Sequence, residues 1–176
     1  MRVLALLFVV ALAALATATA TAEAGRLQWP LRPTAMVTRG FDAPSPNWTR
    51  GHRGVDLAAS AGQTVFAAAG GTVVFAGELA GRPLVSVQHP GGLRTSYEPV
   101  RPAVRTGQRV AAGAALGVLL DGHAGCPMRA CLHWGAMWGP ASRADYVDPL
   151  GLLASTPIVL KPVDGPDRGP HAAARP

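Results

Sequence analysis

Glycine and proline break this chain so often that a long helix has nowhere to form, and that limits its fold more than any other feature. The 176 residues include 21 glycines and 16 prolines, with few aromatics among the rest. Between the breaks lie short runs rich in valine and threonine, a composition that suits strands and turns. Residues 63–68 and 71–76 are two such runs, and Ala69-Gly70 joins them as a tight hairpin. Residues 84–89 and 93–98 make a second pair, turned by Pro90-Gly91-Gly92. Residues 107–110 and 113–119 repeat a turn followed by a strand, and residues 132–137 form the last clear strand. Residues 37–41 add one short strand to a lead-in that Pro30, Pro33, Pro44 and Pro46 keep irregular. The pattern predicts one compact, antiparallel, all-β domain, and the chain is too short for two well-cored ones.

The ends read differently from the middle. Residues 1–24 have the form of a secretory signal: Arg2 is the positive start, residues 3–16 are an unbroken apolar run, and Ala18-Thr19-Ala20 and Ala22-Glu23-Ala24 are small-x-small cleavage sites. The apolar run is short for a bilayer core of ~30 Å. Residues 25–154 follow as the domain with its lead-in. Residues 155–176, which hold Lys161 and His171, are rich in Pro, Arg and Ala without period and predict a disordered tail. Export puts the mature protein in the secreted or cell-envelope fraction, with no membrane-spanning segment left in it.

Formal net charge is +6, and every basic residue except Lys161 is arginine. Removing the signal leaves the charge unchanged, because Arg2 and Glu23 cancel. A basic surface suits an anionic polymer. No basic helix and no aromatic-basic strand pair occurs, which argues against nucleic acid. The only two cysteines, Cys126 and Cys131, bracket a four-residue stretch. An oxidising compartment would join them into a small loop; a metal-thiolate pair or a free nucleophile is the rival reading.

Metal chemistry enters at Gly51-His52-Arg53-Gly54-Val55-Asp56-Leu57. Gly54 and β-branched Val55 disfavour a helix, and in an extended strand His52, Gly54 and Asp56 share one face. Imidazole plus carboxylate is a usual zinc pair, and the bare glycine between them leaves room over the backbone. A surface strand with an ordinary polar face fits the same residues, so this stretch by itself leaves both readings open.

Further pieces follow in order: Ala67-Ala68-Ala69-Gly70-Gly71-Thr72-Val73, His89-Pro90-Gly91-Gly92, Thr95-Ser96-Tyr97, Gly107-Gln108-Arg109-Val110, Leu132-His133 and Val147-Asp148-Pro149-Leu150. With His52-Arg53-Gly54-Val55-Asp56 at their head, they make a chain that resembles the lysostaphin-like (LytM-type) zinc metallopeptidases over roughly residues 29–150. The resemblance implies a small saddle-shaped antiparallel sheet related to the lipoyl/biotinyl hybrid barrels. It implies zinc held by His52, Asp56 and His133 in a surface groove, and action on the peptide cross-links of peptidoglycan. Two His and one carboxylate leave a fourth position for water, as a hydrolytic zinc requires. Period two on the last strand would put Cys131, His133 and Gly135 on the metal face, with Leu132 and Trp134 against the core.

The same resemblance implies two catalytic histidines at positions that here hold Cys131 and Pro99. Neither a disulfide-bonded cysteine nor a proline can act as a base or a donor. Glu98 and His123 are the candidate substitutes. Strand alternation turns Glu98 to the face opposite Pro99 unless Pro99 makes a bulge, and His123 sits in a loop near the cysteines from which it could reach over the groove. His89 opens a turn and reads as structural, and His171 as incidental. Two functions are therefore open. One is an exported zinc endopeptidase with an altered acid-base set. The other is a degenerate zinc-binding domain that binds cell wall or regulates a partner hydrolase.

Overall fold

The structure, a computed structural model, describes residues 26–154. The predicted signal and tail, with Lys161 and His171, lie outside the described residues. Eleven strands follow in order: β1 (Val37–Arg39), β2 (Val55–Ala59), β3 (Thr64–Phe66), β4 (Gly71–Leu79), β5 (Arg82–Gln88), β6 (Arg94–Glu98), β7 (Val100–Pro102), β8 (Arg109–Val110), β9 (Ala115–Leu119), β10 (Ala130–Trp138) and β11 (Asp145–Val147). Three short 3₁₀ turns accompany them, and no α-helix occurs among the described residues. The larger sheet runs β1-β2-β10-β6-β5-β4-β8, with β11 beside the end of β10; a second sheet runs β3-β9-β7. Every strand pair is antiparallel. The expected all-β antiparallel fold is the observed one.

The pairing of the first two runs is not as expected. β3 joins β9 in the smaller sheet, while β4 forms its hairpin with β5. Two-residue hairpin turns of type I′ need positive φ at both central positions. Ala80 and Gly81 have φ of 52° and 76°, whereas Ala69 and Gly70 are absent from the positive-φ residues. The turn therefore falls at Ala80-Gly81. The pairing of β5 with β6 across Pro90–Gly92 is as the sequence implied.

The core gathers side chains from both sheets, including Val55, Leu57, Val65, Val85, Val87, Tyr97, Leu116, Leu119, Leu132 and Trp134, all fully buried. One polar chain runs through it. His89 Nδ1–H donates to the Gly70 carbonyl at 2.9 Å, so its neutral ring accepts at Nε2 from the Thr95 hydroxyl at 2.8 Å. Thr95 Oγ1 accepts in turn from the Tyr97 hydroxyl at 2.8 Å, whose oxygen takes the Ala68 N–H at 2.9 Å. Every group in this chain is satisfied with one consistent direction of donation. Burial pushes the Tyr97 hydroxyl up to about 12 and the His89 imidazole below its ordinary value. His89 is structural, as its place before the turn suggested.

Candidate metal centre

β10 lies between β2 and β6, and its register sets the site. His133 is directly opposite Asp56 on one side and Glu98 on the other. Opposed residues in a ladder project to the same face, so Asp56, His133 and Glu98 form a row across three strands. Alternation along β10 buries Leu132 and Trp134 in the core and leaves His133 partly exposed on the other face. Glu98 was expected to face away from the groove; it instead shares the face of His133, because Tyr97 is the residue that points into the core.

His52 precedes β2 and is held by two backbone bonds with Asp42, His52 N–H to Asp42 O at 2.6 Å and Asp42 N–H to His52 O at 2.8 Å. Its Nδ1–H donates to the Gly40 carbonyl at 2.6 Å. A carbonyl can only accept, so the proton of the neutral ring is on Nδ1 and Nε2 is a bare lone pair. That lone pair lies 2.9 Å from Asp56 Oδ1 and 3.0 Å from His133 Nδ1. His133 Nδ1 is itself 2.9 Å from Asp56 Oδ1. Electron-rich atoms brought this close are stable only with a proton or a cation among them. Asp56 is fully buried, and its Oδ2 has no hydrogen-bond partner among the described residues. The donor set of two imidazole nitrogens and a carboxylate oxygen, all within 4.8 Å of one another, fits a divalent zinc-type cation.

Gly54 makes the close approach possible. A Cβ at Gly54 would stand 2.5 Å from the Trp134 carbonyl oxygen and 2.8 Å from His133 Nε2. The room that the glycine leaves over the backbone is filled by the His133 imidazole.

His123 joins the cluster from the loop before β10. Its Nε2 is 3.1 Å from Asp56 Oδ1, and its ring stacks on that of His133 at 5.5 Å between centroids. Burial alone would push the Asp56 carboxyl up. Hydrogen bonds from His123 and His133 outweigh burial and hold it well below the usual carboxylate range. Cys126 and Cys131 are joined as a disulfide with Cα atoms 5.8 Å apart, which ties the His123 loop to β10. Beside the cluster is a pocket of about 370 Å³ whose lining includes Arg82, Glu98, Pro99, Asp121 and His123. Arg82 and Glu98 form an ion pair at its edge, Nη1 to Oε1 3.1 Å. Sequence reasoning had no means of finding Arg82 or the Gly40 carbonyl, since both act through contacts between distant segments.

Residues 50–149, more than half of the chain, match the family described as Peptidase family M23. The chain belongs to peptidase family M23. Among its relatives is Rv2891 of Mycobacterium tuberculosis, an uncharacterized protein, 65% identical over 150 residues that cover 85% of this chain and 60% of that protein. The M23 chain thus spans about three-fifths of the length of the curated relatives it matches. Helicobacter pylori Csd3 is similar in structure at a TM-score of 0.58, with 26% identity over 74% of this chain and 35% of that one. Lysostaphin, an antimicrobial peptidase of Staphylococcus simulans, shares the fold at a TM-score of 0.57, with 24% identity over 74% of this chain and 57% of that one.

Proposed function

We propose that this M23 domain is an exported, zinc-dependent endopeptidase-like protein that acts on the peptide cross-links of peptidoglycan. The observation that carries this reading is the lone pair of His52 Nε2, aimed at Asp56 Oδ1 and His133 Nδ1 with no proton of its own to offer. His52 Nε2, Asp56 Oδ1 and His133 Nδ1 would hold the metal. Bound zinc supplies a Lewis acid for a scissile carbonyl and brings the pKa of a coordinated water down to ~7. The chain's own part is positional: Gly40 fixes the tautomer of His52, and the β2–β10 register fixes Asp56 against His133. Glu98, Asp121 and His123 line the adjoining pocket and can accept or donate a proton there. The basic charge favours an anionic wall polymer as the surface the domain meets.

A second reading has its own support. Cys131 is committed to a disulfide and Pro99 has no donor, so the two positions at which the resemblance implies catalytic histidines offer no acid or base. On that reading the groove binds wall peptides, or engages a partner hydrolase, without turnover. Digestion of purified wall with zinc-loaded protein, followed by mass spectrometry beside a chelated control, separates the two. Zinc-dependent release of peptides supports the endopeptidase. Retention of wall fragments without release supports the binding domain, and release untouched by chelation overturns the zinc reading altogether.

A further inference from the structure

We propose that His123 is a fourth protein ligand to the metal, so that the resting centre is closed and opens only when its loop swings away. The proposal rests on the metal reading of His52, Asp56 and His133, and it concerns how that site is regulated. Three ligands leave one tetrahedral position free, and donors bonded to zinc at ~2.0–2.1 Å lie ~3.3 Å from one another. His123 Nε2 is 3.1 Å from Asp56 Oδ1, so one edge of the tetrahedron is in place. The other two close when the ring turns toward His52 and toward His133, on whose ring it already stacks. Gly122 and Gly125, with φ of 85° and 82°, give the loop the freedom for that turn.

Two features argue that the approach is built rather than incidental. His123 is only 13% exposed although it sits in a loop flanked by glycines. The loop, turned by the Cys126 N–H to His123 carbonyl bond at 3.2 Å, is also tied by the disulfide to Cys131, two positions before His133 on β10. A surface loop histidine with no task has no need of that tie. The rival role is a hydrogen bond from His123 to a carboxylate that is already coordinated, which would steady Asp56 without touching the metal.

Affinity alone does not separate these roles, since partners of ligands also change metal affinity by ~10–100-fold. Coordination does. Full-length mature protein and its His123→Ala variant are loaded with cobalt(II) and their visible spectra recorded with and without added azide, alongside His52→Ala as a ligand-loss control. With His123 bound, wild type gives a tetrahedral spectrum that azide leaves unchanged. The variant gives a shifted spectrum that responds to azide, because water now fills the vacated position. Chelator competition should show zinc held about 10–100-fold more weakly by the variant. Matching wild-type and variant spectra, or a wild type that responds to azide like the variant, overturns the proposal while leaving the metal site intact. A wild type that takes up neither cobalt nor zinc overturns the metal reading itself and the proposal with it.

Discussion

At the scale of single residues, the site depends on an absent side chain as much as on those present. Gly54 lets β2 and the His133 ring meet, and alanine there would collide with backbone on one side and with a ligand-type nitrogen on the other. The backbone cannot yield without disturbing the β2–β10 ladder. Gly54→Ala should therefore lower stability by about 1–3 kcal/mol, as overpacking does, and weaken zinc binding as well. Urea denaturation and chelator competition on the one variant check both. Tyr97→Phe tests the buried polar chain. It keeps the ring but strands the Ala68 N–H and one side of Thr95, and a stranded buried group costs about 1–3 kcal/mol. His89 adds a pH dependence with a definite sign. Its folded pKa lies below the ~6.5 of an unfolded chain, so between those values the unfolded state binds more protons. The stability it contributes is complete above the unfolded value and is lost as pH falls through the window toward the folded one. Melting temperatures at pH 7 and pH 5 should fall further for wild type than for His89→Gln.

At the scale of elements, β10 is the spine of the site. It is paired along one edge with β2 and β11 and along the other with β6, and it carries both His133 and a cysteine of the disulfide. Breaking the disulfide with Cys126→Ala and Cys131→Ala together should cost about 2 kcal/mol, the chain-entropy value for so short a loop. Guanidinium unfolding measures it; an unchanged midpoint would show that contacts other than the cross-link hold the loop. Local patterns gave a true reading of β10, because alternation decides which side of one strand is buried. They also gave the β5–β6 turn, where proline and two glycines leave little choice. They failed wherever a partner strand decided the outcome. Ala69-Gly70 looked like a turn by composition, yet the hairpin formed where backbone conformation allowed it, at Ala80-Gly81. Glu98 was assigned the wrong face because its neighbour across the ladder, His133, is 35 positions away in sequence and register is not written locally.

At the scale of the whole molecule, a chain of short antiparallel strands that brings His52, Asp56 and His133 together could be foreseen in outline. What could not be foreseen is which loop covers the cluster and which backbone atom orients its first histidine. Charge acts here as well. If arginines attract a wall polymer, retention on purified wall should weaken as salt rises, since screening shortens the reach of surface charge to ~10 Å at 0.1 M. Cosedimentation across a salt series reads this directly, and retention indifferent to salt would remove charge from the account. The Gly40 carbonyl has one more consequence, for where the working unit begins. A fragment trimmed to residues 50–149 keeps His52, Asp56, His123 and His133, and a count of site residues would call it complete. It lacks the one oxygen that decides which nitrogen of His52 bears hydrogen. Freed of that constraint, the ring can present either face to its neighbours, and part of the population is dressed wrongly for a cation. The boundary of this unit is thus drawn by the location of a single proton rather than by the last recognisable motif.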